Sequence, residues 1–459
     1  MGHKTSFRDK LTTVDEKGKR VWVFPKKPKG KLTNYRRIVA FLFFAFFFII
    51  PWIKYEGDPF IMFNIIERKF IILGAIFWPQ DFYLVVMSIM TSVVFLLLFT
   101  VIFGRIFCGW FCPQTLFMEF LFRPIEYLVE GDRREQIKLS KQPMNANKLT
   151  KKIIKYSLFA IAALAIGHTF FAFILGMDTI LGFYSDGFLK HTSTFVPIYV
   201  FSGMVFFIFG FFREQVCTIA CPYGRLQGVL LDKKTILVAY DYLRGEPRKG
   251  SHEEGEGDCL NCMDCVHVCP TNIDIRNGTQ LECINCTACM DACDANMVKA
   301  GKPTGLIRYD SEEGIEKGEK HIINPRTIAY SIVLLILMGV LSSMFFLRTD
   351  FETTILRQKG TLYQILGDTA VSNIYDVEII NKTRNKYSID LELLKPQNGE
   401  IKWLTPKVEL DKGEIGKAKF MIILPKSEIH SSNELIQLGI VSKEETIKVY
   451  DISFVAPRK

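Results

Sequence analysis

Twelve cysteines are the residues of this chain whose type and spacing could do chemistry, and eight of them fall in two identically spaced runs. Cys259-Leu-Asn-Cys262-Met-Asp-Cys265-Val-His-Val-Cys269 is answered fourteen residues on by Cys283-Ile-Asn-Cys286-Thr-Ala-Cys289-Met-Asp-Ala-Cys293. Two C-x2-C-x2-C-x3-C runs supply eight thiolates, the ligand count for two 4Fe-4S cubanes. The first three cysteines of a run lie on a tight loop that can wrap one cluster, while the fourth starts a turn that points away and serves the other. The spacing therefore predicts one cubane on Cys259, Cys262, Cys265 and Cys293, and a second on Cys269, Cys283, Cys286 and Cys289. Paired C-x2-C motifs also suit tetrahedral zinc, but zinc does not need two quartets with this internal order. Asp294 follows the last cysteine where Pro270 follows the first run, a departure that removes proline's fixed turn but no ligand.

The other four cysteines also repeat one another. Cys108-Gly-Trp-Phe-Cys112-Pro113 and Cys217-Thr-Ile-Ala-Cys221-Pro222 share the pattern C-x3-C-P, each after an apolar run that ends in arginine, Arg105 or Arg213. On one continuous helix, positions i and i+4 would present both thiols on one face. Alternatively the proline opens a new helix, leaving the thiols at a break near a positive helix end that lowers their pKa. If the repeats meet, four soft sulfurs converge, a site that suits Cu(I), zinc or an iron–sulfur cluster. Buried cysteines can be inert small hydrophobes. Identical spacing in a chain with no stray cysteine favours redox or metal function, and argues against a disulfide framework.

The elements that must position these thiols are membranous. Of the 459 residues, 49% are hydrophobic and the mean hydropathy is +0.18, which points to membrane spans rather than one large soluble core. The net charge of +9 does not indicate nucleic acid, because the basic residues concentrate beside apolar runs, where they set membrane orientation. Residues 1–37 carry twelve Lys or Arg against three acids and read as a basic cytoplasmic tail that is retained. Spans are predicted at 38–53, 82–103, 153–175, 195–212 and 328–347. Residues 54–81, interrupted by Glu67-Arg68-Lys69, read as an amphipathic segment on the outer surface. A basic loop runs from Arg105 to Lys155 and carries ten Lys or Arg, so the even spans end inside.

The predicted domains are thus the tail, a membrane domain of four spans over 38–225, a cytoplasmic ferredoxin module over 226–327 with a charged linker at 245–258, a fifth span at 328–347, and an outer domain over 348–459. That last segment alternates polar and apolar residues, as in Tyr387-Ser-Ile-Asp-Leu-Glu-Leu. About seven such strands suggest an immunoglobulin-like sandwich that holds without cysteine. His168, the one histidine inside a span, reads as a residue facing a neighbouring helix rather than a haem ligand. No C-x-x-C-H occurs for covalent haem. Phe41 to Phe48 read as lipid-facing.

With these motifs in hand, the chain resembles the FixG/CcoG/RdxA family of accessory proteins for cbb-type cytochrome oxidase in bacteria. The resemblance rests on the basic amino terminus, both C-x3-C-P motifs, Glu130-Gly-Asp-Arg133, the eight-cysteine module between the fourth and fifth spans, and the outer sandwich. It implies a multi-pass protein of the bacterial inner membrane that reduces Cu(II) to Cu(I) for the oxidase, with copper handled at Cys108, Cys112, Cys217 and Cys221. The implied partners are oxidase assembly factors or a copper chaperone, and a cytoplasmic electron donor. Two other functions fit the same residues: a quinol dehydrogenase like the membrane ferredoxins of nitrate reduction, and a non-catalytic scaffold for oxidase assembly.

Overall fold

In the computed structural model, the described residues are 13–14, 17, 19–66, 69–249, 257–318, 325–360, 362–367, 369–442 and 445–457. Much of the basic tail, the Glu67-Arg68 interruption and residues 250–256 of the linker lie outside them. Five helices are long and apolar enough to cross a membrane: Lys31–Trp52, Pro79–Phe103, Ala146–Leu175, Thr192–Phe212 and Thr327–Phe346. The first and third begin seven residues before their apolar runs, because hydropathy reads only the greasy part of a helix and not its polar first turns. Asn145 sets one such start, its side chain accepting the Lys148 amide at 2.8 Å.

The chain divides into two compact units, residues 1–67 with 83–341 and residues 68–82 with 342–459. Membrane helices and ferredoxin, which the sequence separates into domains, therefore belong to one unit. Aromatic rings build its core: Phe122 stacks on Phe209 at 4.5 Å and meets Phe159 edge-on at 4.9 Å. The run from Phe41 to Phe48 is not simply lipid-facing. Phe41 and Phe46 are exposed, but Phe43, Phe44 and Phe47 surround Phe117 at 5.3–5.6 Å, because only one stripe of a helix can face outward.

The basic stretch from Arg105 to Lys155 is mostly helical, including Arg123–Glu130 and Arg133–Lys141, the latter capped by Asp132 and Glu135. Residues 54–81 are short strands rather than an amphipathic surface segment. Lys69–Ile72 pairs with Ala75–Phe77 across Leu73 and Gly74, both at positive φ, as a two-residue hairpin requires. This hairpin belongs to the second unit, where buried Asp81 is bonded by Lys382 at 2.6 Å and Arg348 at 2.8 Å.

The rest of the second unit is two antiparallel sheets. One orders Glu400–Trp403, Ile415–Pro425, Ala370–Asn381 and Phe351–Arg357, with Gln364–Leu366 also on Ala370–Asn381; the other orders Val408–Leu410, Tyr387–Lys395, Asn433–Ser442 and Glu445–Val455. Alternation fills the space between them: Ala418, Phe420, Ile422 and Leu424 point inward from one strand. Nine strands replace the expected seven or so, because three-residue pieces such as Gln364–Leu366 are too short to show a period.

Candidate iron–sulfur and thiol sites

The two cysteine runs fold alike. In the first, Asn261 and Met263 take φ of 53° and 62°; in the second, Asn285 and Thr287 take 52° and 63°. Left-handed residues on either side of the second cysteine coil each loop tightly, a strained conformation for a β-branched threonine. Each loop then opens a helix, Asp264–His267 or Ala288–Lys299. The second helix runs on through Cys289 and Cys293, one turn apart. Proline at 294 would break it, and Asp294 instead accepts the Gly305 amide at 2.8 Å.

These loops enclose two cavities. One is lined by Cys259, Cys262, Cys265 and Cys293, together with Tyr240, Met297 and Ile307. The other is lined by Cys269, Cys283, Cys286 and Cys289, with Val238, Ile275 and Cys265. Among the described residues no three His, Cys, Asp or Glu side chains converge as for a single metal ion. The quartets surround space instead, as a cluster demands. Burial pushes the Cys265, Cys283 and Cys293 thiols up to about 12, so only a bound metal would hold them as thiolates.

The C-x3-C-P motifs adopt the broken-helix form. Cys108 lies in Ile106–Trp110, and Cys112 is extended, with Pro113 opening Pro113–Phe117. Cys217 lies in the wide turn Val216–Ala220, and Cys221 is extended before Pro222–Leu230. On top of burial, a negative charge on Cys112 or Cys221 would push up both the Cys108 and the Cys217 thiols, so the two motifs lie within electrostatic reach, although among the described residues no three of these cysteines converge as for one metal ion. Gln227, fully buried, reaches Cys108 Sγ at 3.6 Å.

The first motif lies directly on the second cysteine loop. A Cβ on Gly109 would stand 2.4 Å from the Ile284 oxygen and 3.0 Å from the Cys286 nitrogen, so only glycine lets the backbones meet. Cys108 joins Ile284, Cys286 and Ala288 in one apolar cluster. Tyr309 donates to the Asn285 carbonyl and accepts from Trp110 Nε1, both at 3.2 Å. Arg36 Nε donates to the Gly109 carbonyl at 3.0 Å.

The second motif sits by a buried charge network. Arg213 grips Glu126 with two bonds of 2.9 Å, Arg123 holds Glu119 at 2.8 Å, and Lys155 holds Glu130 at 3.0 Å. Apart from Arg213, these are residues that the sequence reads as an ordinary basic loop, and carboxylates of that loop neutralise all three cations. A small cavity adjoins it, bounded by Cys217, Glu119, Arg123, Glu214 and Pro270. His168 lies within bonding distance of protein groups at both ring nitrogens, the Leu164 carbonyl at 2.7 Å and the Tyr184 hydroxyl at 2.6 Å.

Comparison with known proteins adds the following. Residues 212–312 match a family model described as a 4Fe-4S dicluster domain, and residues 85–133 match a 4Fe-4S binding domain. Residues 341–457 match an IG-like fold at the C-terminal of FixG. The protein RdxB of Cereibacter sphaeroides is 35% identical over 79% of this chain and 80% of its own, and RdxA of the same organism 33% identical over 78% and 79%. The nitrogen fixation protein FixG of Rhizobium meliloti is 28% identical over 91% of this chain and 89% of its own.

Proposed function

Since the chain belongs to the family of RdxA, RdxB and FixG, we propose that this iron–sulfur membrane protein reduces Cu(II) to Cu(I) for the assembly of a cbb-type oxidase. Cys259, Cys262, Cys265 and Cys293 would hold one 4Fe-4S cluster, and Cys269, Cys283, Cys286 and Cys289 the other. When bound, each cluster supplies a one-electron reservoir. Electrons come from a reduced carrier inside the cell, and the tail and ferredoxin face that side while the sandwich faces out.

The observation that carries this reading is the seat of Gly109 on Ile284–Cys286, which brings the first thiol pair against the second cluster loop. The chain's own part is to hold that seam dry and close, and to offer Cu(II) the sulfurs of Cys108, Cys112, Cys217 and Cys221. Soft sulfur favours Cu(I), so binding there adds driving force to the single-electron reduction.

The test uses anaerobically purified full-length protein, reduced and then mixed with Cu(II). Cu(I) should appear, trapped by a chromogenic chelator, while the clusters are reoxidised. Cys217→Ser/Cys221→Ser should keep its iron and lose Cu(I) formation. A wild-type rate in that variant would remove copper from this site and return the role to quinol oxidation or to scaffolding.

A further inference from the structure

A buried charge without a partner is costly, so a structure that keeps one implies a counter-charge. Arg36 is 1% and Arg105 5% exposed. Among the described residues neither forms an ion pair, and Arg36 Nη2 and Arg105 Nε are buried without a hydrogen-bond partner. Their other bonds go to neutral groups. Arg36 bonds the Gly109 carbonyl and lies over the Phe120 ring at 5.1 Å, while Arg105 bonds the Gly224 carbonyl.

Both cations sit where the second cluster loop meets the thiol motifs. Arg36 is tied to the residue whose backbone touches Cys286. A Cβ on Gly104, next to Arg105, would stand 3.3 Å from the Asn285 side-chain nitrogen of the same loop. The first cluster cavity also has an arginine, Arg276, but Asp274 grips it at 2.7 and 2.8 Å. One cluster site therefore faces a cation gripped by a carboxylate, and the other faces two cations that no carboxylate pairs with among the described residues.

Resting on the two-cluster reading above, we infer that Arg36 and Arg105 are positioning residues that set the potential of the cluster on Cys269, Cys283, Cys286 and Cys289 above that of the cluster on Cys259, Cys262, Cys265 and Cys293. One-electron reduction makes and breaks no bond; it adds one negative charge to a group already anionic, and a nearby unneutralised cation favours that state. Electrons then settle on the cluster beside the thiol motifs, and the direction of flow is built into the seam.

The experiment is a potentiometric titration of the anaerobic full-length holoprotein with dithionite, followed by electron paramagnetic resonance and paired with iron analysis. The wild type should show two separated transitions, and Cys262→Ser, in an exposed ligand of the first cluster, should displace the lower one and so identify it. Arg36→Gln and Arg105→Gln should each move the upper transition down and leave the lower in place, while Arg36→Lys should restore most of the shift. Should a glutamine variant fail to fold, Asp274→Asn tests the same idea without removing a cation: by baring Arg276 it should raise the lower transition. Unmoved potentials in the folded arginine variants, or in Asp274→Asn, overturn the inference. Wild-type iron near four per chain would instead overturn the two-cluster reading, and the inference with it.

Discussion

The two C-x3-C-P motifs share a sequence and a backbone shape, yet the molecule surrounds them differently. Each ends in an extended cysteine whose following proline opens a helix. Gly109 of the first presses on the cluster loop, and its arginine, Arg105, has no carboxylate partner among the described residues. In the second, Arg213 is clamped by Glu126, and a Cβ on Gly224 would meet the Cys217 carbonyl of its own motif at 2.7 Å rather than the cluster loop, while the Gly224 carbonyl accepts from Arg105. Local spacing thus fixes how a thiol pair is presented, and the tertiary neighbours decide what it is presented to. The first pair meets the iron–sulfur module by direct backbone contact; the second is held in a neutralised, bonded frame, and its Cys217 shares a cavity with Pro270 and Ile284 of that module.

The largest expected effect comes from breaking the first contact. Gly109→Val would drive its side chain into the Ile284 oxygen and Cys286 nitrogen, both backbone atoms that cannot yield. Purified anaerobically, this variant should lose about half its iron, the share of one of two cubanes. Gly224→Val should disturb the second motif and keep its iron. Equal losses in the two variants would mean that the motifs are equivalent after all.

The second motif is tested through its charges. Glu126→Gln leaves Arg213 buried with its main partner gone, which costs on the order of 3–5 kcal/mol. A large fall in the detergent-solubilised unfolding temperature is expected, and the first motif has no corresponding carboxylate to remove. An unchanged temperature would show that the Arg213 frame is not structural.

The cysteine pattern and the five apolar helices were legible because ligand spacing and hydropathy are properties of short windows. The coiling of both loops is foreshadowed by matching Asn-Cys steps at 261 and 285. What joins distant windows was hidden. Nothing local marks Gly109 as the residue that admits Ile284, or distinguishes buried Arg123 and Lys155 from the solvated lysines of the same stretch. Residues 54–81 read as a surface segment because the bonds that tie their later part to the second unit, from Lys382 and Arg348 to Asp81 and from Arg384 to the Gly74 carbonyl, join residues hundreds of positions apart. Gln227 carried no signal at all, since its role is a contact with a sulfur in the other repeat.

That contact gives a smaller prediction. Gln227→Ala removes the only side-chain amide bonded to Cys108 Sγ among the described residues and leaves a small buried gap. The cost should be about 1–3 kcal/mol. Cys108 should then be alkylated faster than Cys217 in the iron-loaded protein, where the wild type shows the smaller difference. Mass spectrometry of the labelled peptides reads this directly, and an unaltered ratio would detach Gln227 from the first motif.

The smallest effect is expected from the hydrogen bonds that accompany the Gly109 contact. Tyr309→Phe removes the hydroxyl that joins Trp110 to the Asn285 carbonyl, leaving one donor and one acceptor without that partner. The net cost should be on the order of 1 kcal/mol, because the ring stays in place and the backbone contact at Gly109 is untouched. Iron content should remain at the wild-type level, and the unfolding temperature should fall only slightly. Trp110→Phe, which takes away one of the same two bonds, should do no more. If Tyr309→Phe instead strips iron as Gly109→Val does, the seam is held by its hydrogen bonds rather than by close backbone approach. The first motif would then differ from the second in bonding, and not in the contact that glycine alone permits.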